Sequence, residues 1–583
     1  MRREGIADRE VQREIERRRS FDRTRRAAAE WKQGAEVAER DRVLAQLAEF
    51  GWSDRRTLRP HQVDGLLHEL AAVNAANFSV PGSGKTTTAL AVAASHLAAG
   101  TVDTVLVVGP LACFRPWEEE TTAALGTVLR TRRVRGPSHL RRSAYNTVRD
   151  RDLLLMSYAT AAADRLALVQ LCKSREVLLV VDESHRIKRF RGGLWAPALM
   201  DIAAHARVRL VLSGTPMPQS GRDLYSQLNV IWPNRQLTGP PDAFAARVQS
   251  DFDGVLLDVN PFVARTPKEA LGLRPYEVHR HDVDMNPTQA EVYELILNHF
   301  RRRLEDAHRW SEKIEALRRG RPIRLLQAAS NPDLFNRSDA QYRLPRIGEA
   351  NPTLLDRLAS YRDHEVPAKN EFALRLVETI ARDGGKVVCW SNFLGNLDQF
   401  AQLVTERLGL PCYQVDGRIP TDDDPGEDDR PDAGRDNPED IDTRERVIAR
   451  FLGDEAPGVL VTNPASCSES ISLHTTCHNA IYLDRTYDCA QFLQSIDRVH
   501  RLGLPPDATV KVHIVMATFG GQPAVDHLVD ASLIAKEEVM RQLLEGAVLR
   551  PIELRDDPVD DAEGDQQDLE ALLRYLLGEE TGT

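Results

Sequence analysis

The octapeptide SVPGSGKT, Ser79–Thr86, has the residue types and spacing of a phosphate-binding loop. It follows a predicted strand at Asn77–Val80 and precedes a predicted helix at Thr87–Ala98, which is the context that such a loop requires. Gly82 and Gly84 would let the backbone N–H groups turn toward phosphate oxygens. The segment therefore predicts a nucleotide-binding site.

The side chains of this loop predict how a nucleotide would be held. Lys85 would neutralise the β- and γ-phosphates of ATP, and the Thr86 hydroxyl would bind Mg²⁺. The residues of the loop that we expect to contact the nucleotide are Gly82, Ser83, Gly84, Lys85, Thr86 and Thr87.

A pair of carboxylates lies about 100 residues further along, in VVDESHRIK, after an apolar strand-like run. Asp182 would hold Mg²⁺, directly or through water, and Glu183 would orient and deprotonate an attacking water. Taken alone, two adjacent acids also fit an ordinary strand-end turn. After a phosphate loop, they predict a hydrolase.

Short apolar runs separated by helical stretches predict two α/β sheets of buried parallel strands. The first set of runs is 104–108, 152–156, 177–181 and 209–212, and the second is 386–390, 458–462, 480–483 and 510–515. Between the two sets, residues 287–330 are rich in Arg and have apolar residues at helical spacing. We expect a helical insertion there.

Composition excludes several classes of protein. The chain has 583 residues, no apolar run long enough for a membrane span and no apolar core after its basic N-terminus. Its seven cysteines are scattered without a CxxC pair, which argues against zinc and favours reduced thiols in the cytoplasm.

The formal net charge of −11 argues against a nucleic-acid binder if it is taken as a whole. Two acidic segments, 421–440 and 553–583, carry net charges of −8 and −9, which leaves the rest of the chain at +6. The first segment is predicted to be a disordered loop because an acidic stretch with Pro and Gly throughout cannot form a packed core. The net negative charge therefore comes from these two segments, and the remainder of the chain is mildly basic.

An ordered set of further segments resembles the motifs of the superfamily-two helicases and, within them, the Swi/Snf-like ATPases. The segments are LRPHQVDGL at 58–66, VLVVGPLACFRPWEEE at 105–120, LLLMSYAT at 153–160, LVLSGTPMPQSGRDLYSQLNVIWP at 210–233 and QSIDRVHRLG at 494–503. The resemblance implies that Gln62 lies near the adenine. It also implies that Arg498 and Arg501, three residues apart on one predicted helix face, reach the nucleotide across a cleft.

The chain departs from the family pattern at three places. It has SVPGSGKT where the family usually has DEMGLGKT, CSESISL at Cys467–Leu473 where GGEGINL is usual, and Tyr487–Cys489 where WNP is usual. These changes indicate a divergent, bacterial-type branch, with altered coupling between ATP and DNA as one consequence to consider. The five catalytic candidates are intact, and they are Lys85, Asp182, Glu183, Arg498 and Arg501.

The fold that the resemblance implies is two RecA-like α/β lobes with a helical insertion between them. The predicted parts are a charged helical arm at 1–50, an ATP-binding lobe at 51–265, a linker and insertion at 266–350, a second lobe at 351–548 and an acidic tail at 549–583. The arm is either a solvated helix or a contact for a partner or nucleic acid. In the tail, five leucines lie on one helical face that either packs on its own domain or docks a partner: Leu569, Leu572, Leu573, Leu576 and Leu577.

The function that follows from the resemblance is ATP-dependent translocation on double-stranded DNA. One alternative is a strand-separating DNA or RNA helicase, and another is a nucleotide-switched subunit that remodels a protein partner through the arm and the tail. Both DNA repair and phage defence suit such a motor. The acidic loop is either a tolerated surface insertion or a DNA mimic that inhibits the motor.

Overall fold

The computed structural model divides the chain into two compact units: the first comprises the residues up to Leu273 and a short later stretch that starts at Val539, and the second comprises the rest. The described residues are 18–32, 34, 37–187, 193–214, 216, 221–267, 269–305, 307–336, 352–420, 443–467, 472–505, 507–545 and 566–578. The predicted acidic loop, 421–440, lies outside them, as do residues 1–17 of the arm.

The first unit is built on a seven-stranded, all-parallel sheet in the order β3-β4-β2-β5-β6-β1-β7. Its strands are β1 (Ala75–Asn77), β2 (Thr104–Gly109), β3 (Arg130–Arg133), β4 (Asp152–Ser157), β5 (Val177–Asp182), β6 (Val208–Leu212) and β7 (Val263–Ala264). The central strands are buried along their whole length, since β2 and β5 have no exposed residue, and helices cover the faces of such a sheet.

The helices of the first unit follow the strands in chain order. They are α1 (18–32), α2 (Val37–Phe50), α3 (Pro60–Ala72), α4 (Lys85–Ala98), α5 (Phe114–Leu125), α6 (Ser138–Asn146), α7 (Tyr158–Ala163), α8 (Arg165–Ser174), α9 (Trp195–Ala203), α10 (Leu224–Ile231), α11 (Pro241–Ser250) and α12 (Phe252–Val259). Among the described residues of either unit, no helix has both the length and the hydropathy needed to cross a bilayer.

The second unit also contains a seven-stranded sheet, in the order β10-β11-β9-β12-β13-β14, with β8 pairing on β13. Its strands are β8 (Glu277–Asp284), β9 (Lys386–Trp390), β10 (Cys412–Val415), β11 (Val459–Thr462), β12 (Cys477–Tyr482), β13 (Lys511–Phe519) and β14 (Gln522–Pro523). All neighbours are parallel except the β13–β14 hairpin. The predicted fold class, two RecA-like α/β lobes, is confirmed.

The helices of the second unit include those of the Arg-rich segment. They are α13 (Pro287–Glu305), α14 (Trp310–Gly320), α15 (Ile323–Ser330), α16 (Pro352–Ala359), α17 (Tyr361–His364), α18 (Ala368–Arg382), α19 (Leu394–Leu403), α20 (Arg444–Gly453), α21 (Pro464–Cys467), α22 (Cys489–Ile496), α23 (Val525–Glu545) and α24 (Gln566–Leu577). The segment before α13 holds a strand that the sequence pattern did not predict, because the residues of β8 are mostly polar and half exposed.

The strand before the loop, predicted at Asn77–Val80, lies at Ala75–Asn77 and shares only Asn77 with the prediction. Beyond it, the N–H groups of Phe78 and Val80 still donate to the carbonyl oxygens of Ala264 at 2.9 Å and Thr266 at 3.1 Å. The Ser79 N–H donates to Oδ1 of Asn77 at 3.1 Å, and Oγ of Ser79 accepts from the Thr266 N–H at 2.9 Å. The following helix starts at Lys85, two residues before the predicted start. Ser79, which stands where a smaller residue is usual, thus fixes the loop to the segment after β7.

The described part of the N-terminal arm packs on the first unit. In α1, the ring of Phe21 lies edge-on against Trp232, with 4.9 Å between centroids, and Arg25 forms an ion pair of 2.6 Å with Asp258. The face of α1 that carries Phe21 is therefore covered by the chain itself.

The tail helix α24 packs on the second unit through its leucine face. Leu569, Leu572, Leu573 and Leu576 are almost fully buried, whereas Leu577 is 37% exposed. The helix contacts α13 and α14, and the hydroxyls of Tyr575 and Tyr293 lie 3.1 Å apart. Of the two interpretations of this face, the structure supports packing on its own domain.

Candidate functional site

The phosphate loop connects β1 to α4 and contains two glycines in left-handed conformations. Gly82 has φ +79° and Gly84 has φ +84°, and Gly84 is the N-cap of α4. The backbone conformation favours glycine at position 84, where a side chain would also displace Nε2 of Gln62. Gln62 at the start of α3 thus lies against the loop, and its place near the adenine stays a prediction.

Lys85 lies at the start of α4, with its ammonium group held by the loop. Its Nζ donates to the carbonyl oxygens of Ser79 at 3.0 Å and Val80 at 3.4 Å. The unpaired N–H groups at the start of a helix attract anions, and here a cation is added beside them. The loop therefore has the charge and the donors that bind phosphate.

Asp182 is the last residue of β5, and its carboxylate is buried at the carboxyl edge of the same sheet. Burial and the neighbouring Glu183 charge raise the pKa of Asp182 to about 6, while the Trp117 hydrogen bond and the Lys85 charge act in the opposite direction. The indole Nε1 of Trp117 donates to Oδ2 of Asp182 at 2.9 Å. Lys85 and Asp182 are close enough to influence each other, so the structure brings the two predicted motifs together.

Glu183 follows the strand with φ +51°, a left-handed conformation that costs about 1–3 kcal/mol for a residue other than glycine. The hydroxyl of Tyr158 holds this turn by donating to the carbonyl oxygens of Asp182 at 2.5 Å and Glu183 at 3.2 Å. Oε2 of Glu183 lies 3.4 Å from Nδ1 of His185. The strained turn sets the backbone from which the carboxylate extends, and the His185 imidazole lies beside that carboxylate.

The segment after β6 connects this carboxylate to the phosphate loop. Oγ of Ser213 lies 3.2 Å from Nδ1 of His185, the imidazole that also faces Glu183. A Cβ on Gly214 would lie 2.5 Å from Cγ of Pro81, so the segment packs directly on the loop. The segment after β6 thus lies between the phosphate loop and the imidazole beside Glu183.

Thr87, a predicted nucleotide contact, instead binds protein through its side chain. Its hydroxyl donates to Oε1 of Glu120 at 2.7 Å and accepts from Nη2 of Arg56 at 3.2 Å. Arg56 and Glu120 also form a two-pronged ion pair of 2.7 and 2.9 Å. The Thr87 hydroxyl is thus bonded to protein groups, and contact between Thr87 and the nucleotide stays a prediction.

Arg498 and Arg501 lie in the second unit, and the prediction that both occupy one helix face is wrong. Helix α22 ends at Ile496, and the two arginines lie in the turns that follow. The carbonyl of Arg498 accepts from the Leu473 N–H at 2.9 Å, and Nη1 of Arg501 donates to Oγ of Ser472 at 2.6 Å. Burial lowers the pKa of Arg501. Contacts with residues 472–473 thus replace helical geometry in placing these side chains.

The donor set at the carboxyl edge of the first sheet fits Mg²⁺ and a nucleotide. Mg²⁺ prefers oxygen ligands and usually keeps several waters, so one hydroxyl and one carboxylate suit it. Thr86 and Asp182 offer those two groups, and a bound cation would compensate for the negative charge of buried Asp182 and of its half-buried neighbour Glu183.

Several residues of this site escaped the sequence interpretation. Trp117, Tyr158, His185 and Ser213 all lie inside or next to the quoted motifs, yet their bonds join positions distant in the chain. The signal that could have found Trp117 is its position in PWEEE, after a strand adjacent to β5. Glu120 is the last residue of the quoted segment 105–120, whereas Arg56 lies outside the quoted motifs.

Comparisons with known proteins find a family model and relatives that match this chain. Residues 80–323 match the family model of the SNF2-related domain. The "DNA repair and recombination protein RAD54-like" of Drosophila erecta is 26% identical over 403 residues, which is 60% of this chain and 49% of that protein. An "Uncharacterized ATP-dependent helicase" of Mycoplasma pneumoniae is 22% identical over 71% of this chain and 35% of its own length.

Among solved structures, the chain is similar to the "Sulfolobus solfataricus SWI2/SNF2 ATPase core in complex with dsDNA". The identity is 18% and the TM-score 0.36, and the match covers 84% of this chain and 94% of that one. The chain spans about half the length of the RAD54-like relatives it matches. The resemblance to Swi/Snf-like ATPases is confirmed by the family model and by these relatives.

Proposed function

Because the chain carries an SNF2-related domain, we propose that it is an ATP-dependent motor that moves along double-stranded DNA. The observation that carries this proposal is the placement of the Lys85 loop after β1 and of Asp182 and Glu183 at the end of β5, at the carboxyl edge of one parallel sheet. A phosphate-binding cation and two carboxylates at one edge form the arrangement that hydrolyses a phosphoanhydride.

In this proposal, each group at the edge of the sheet has one task. The N–H groups of the loop and Lys85 bind the phosphates, while Thr86 and Asp182 hold Mg²⁺, which polarises the phosphate oxygens when bound. Glu183 takes the proton of the attacking water as the bond between the γ-phosphorus and the β–γ bridging oxygen breaks. His185 and the strained turn keep the Glu183 carboxylate in place.

Arg498 and Arg501 are proposed to act on the γ-phosphate from the second unit. Both follow α22, and Arg501 is oriented by Ser472, a residue of the divergent CSESISL segment. A guanidinium stabilises the charge that develops on the transferred phosphoryl group. We propose that their engagement depends on the closure of the two units around the nucleotide, which would couple hydrolysis to movement.

Duplex DNA is the proposed track. The RAD54-like relatives are named as DNA repair and recombination proteins, and the chain outside its two acidic segments has a net charge of +6. Phosphate contacts made by Lys and Arg are insensitive to sequence and sensitive to salt. DNA repair is the role that the relatives support, with phage defence as the second setting for the same motor.

A triplex-displacement assay tests translocation directly. The motor should release a third strand from duplex DNA in the presence of ATP, without separating the two strands of a forked duplex. Strand separation without triplex release would instead support a helicase. Failure of both assays, with ATP hydrolysis retained, would favour a subunit that remodels a protein partner.

A further inference from the structure

We propose that Arg56 forms the base-facing wall of the nucleotide site and stacks its guanidinium plane on the purine of bound ATP. The inference rests on the proposed function, because it needs a nucleotide at the loop before α4. Arg56 lies six residues before Gln62, in the segment that leads into α3.

The backbone of Arg56 is fixed to the first sheet through α5. The indole Nε1 of Trp52 donates to the carbonyl of Arg56 at 2.8 Å, and the Arg56 N–H donates to the carbonyl of Ser53 at 2.9 Å. The Ser53 N–H in turn donates to the carbonyl of Ala124 near the end of α5 at 2.7 Å. The position from which the guanidinium extends is therefore set by three hydrogen bonds.

The guanidinium plane is held by two partners. Its Nε and Nη2 bind the two oxygens of Glu120 at 2.7 and 2.9 Å, which is the fork geometry that fixes the orientation of an arginine. Nη2 also lies 3.2 Å from Oγ1 of Thr87, whose hydroxyl binds the same carboxylate. This triangle holds the plane of Arg56 against the first turn of α4.

The side chain of Arg56 contacts α4 at Thr87, and the position of Thr87 along the helix places Arg56 at the nucleoside end of the site. Lys85, the first residue of the helix, serves the β- and γ-phosphates, and the backbone groups after it serve the phosphate nearer the ribose. Thr87 is two residues further along. A group bonded to the Thr87 side chain thus lies next to the sugar and base, away from the γ-phosphate.

The paired charge and the partial exposure of the Arg56 side chain indicate that it would contact the base by stacking. Glu120 neutralises the guanidinium and is only 17% exposed, while the Arg56 side chain remains 42% exposed. An arginine whose charge is already paired still offers a planar face to an aromatic ring.

Gln62 is much less accessible to a base. It is buried, with Oε1 accepting from the Arg59 N–H at 2.9 Å and Nε2 directed at the Ser83 carbonyl at 3.4 Å. A base at this end therefore meets Arg56.

Calorimetric titration of the full chain with ADP, UDP and inorganic tripolyphosphate, each with Mg²⁺, tests the inference. Arg56→Ala and Arg56→Lys should both weaken ADP binding about tenfold, because lysine has no planar face to stack. Both should also reduce the preference for ADP over UDP and leave tripolyphosphate binding within about twofold. Arg55→Ala, at the exposed neighbouring position, is the matched control and should bind like the wild type.

Three outcomes would overturn the inference. Full ADP affinity in Arg56→Lys would show that charge, not stacking, matters. An equal loss for tripolyphosphate would place Arg56 at the phosphates or in the stability of the fold. Unchanged ADP affinity in Arg56→Ala would remove Arg56 from the site. If the wild-type protein binds neither ADP nor tripolyphosphate, the proposed function fails, and the inference fails with it.

Discussion

The indole nitrogen of Trp117 donates a 2.9 Å hydrogen bond to Oδ2 of Asp182. Trp117 is fully buried on α5, and Asp182 ends β5, so the bond joins two elements that flank the proposed metal site. The Glu183 N–H donates to the other carboxylate oxygen, Oδ1, at 2.9 Å, so both oxygens of Asp182 are held. The proposed hydrolysis depends on that orientation.

Trp117→Phe should therefore impair activity as well as stability. Loss of a hydrogen bond to a buried carboxylate costs about 1.5–3 kcal/mol in the free energy of unfolding, measured by urea denaturation. The ATPase rate should fall, and its acid limb should move to higher pH because the bond lowers the pKa of Asp182. The control is Trp390→Phe in β9, where the buried Nε1 has no hydrogen-bond partner among the described residues. It should lose stability while keeping the pH profile, and a shared shift would contradict the assignment.

The Mg²⁺ requirement should depend on pH through Asp182. With a pKa of about 6, its carboxylate is protonated below that value and then binds no cation. Since burial raises this pKa in the folded chain, the protonated form favours folding, and stability is lost as the pH rises through about 6. The Mg²⁺ concentration for half-maximal ATPase should therefore rise several-fold between pH 7.5 and 5.5. Asp182→Asn should require high Mg²⁺ at both pH values, and a flat wild-type profile would count against the site.

Glu69 should make the first unit less stable at alkaline pH. It is fully buried in α3, and burial raises its pKa to about 8, although Asn77 donates to its Oε1 at 2.6 Å. The stabilisation is present below the unfolded pKa of about 4.5 and is lost as the pH rises through 8. Glu69→Gln keeps the acceptor without the charge, so its melting temperature should exceed that of the wild type by a margin that grows from pH 5 to 8.

Asp64→Asn, at an exposed position of the same helix, is the control for that series. Its unfolding free energy should stay within about 0.5 kcal/mol of the wild-type value at every pH. An advantage of Glu69→Gln that does not vary with pH would show that the carboxyl group does not titrate in the folded state.

The tail helix should contribute to the stability of the second unit. Leu573→Ala removes a side chain with no exposed surface and should cost about 2–5 kcal/mol in unfolding free energy. Leu577→Ala, on the same helix but 37% exposed, should cost well under half as much. Equal, small effects of the two substitutions, together with loss of a protein partner in a pull-down, would support the docking interpretation instead.

Sequence patterns predicted the sheets well because buried parallel strands are continuous apolar runs. The predicted strand at Lys386–Trp390 has the bounds of β9 in the structure. The apolar runs predicted for β2 and β5 each end one residue before the observed strand does. β8 could not be predicted in this way, because an edge strand with alternating polar residues has no apolar run. Its parallel pairing with β13 is a long-range contact that local composition does not specify.

The sequence motifs predicted the main residues of the site. They did not predict the contacts that orient those residues. Lys85 and Asp182 follow from residue type and spacing, whereas the Trp117 bond to Asp182 joins positions 65 residues apart. The helix expected to hold Arg498 and Arg501 ends early because tertiary contacts, including the Ser472 bond to Arg501, outweigh helical propensity. Periodicity alone carries no information on such contacts.

The rate of ATP hydrolysis with and without linear duplex DNA, measured on the full chain, tests the central claim most directly. The wild-type protein should hydrolyse ATP and should do so several-fold faster with duplex DNA, with the stimulation falling as salt rises. Lys85→Ala and Glu183→Gln should each abolish both rates while the protein stays folded. A wild-type rate that no DNA or RNA increases, or a Glu183→Gln rate equal to that of the wild type, would contradict the account.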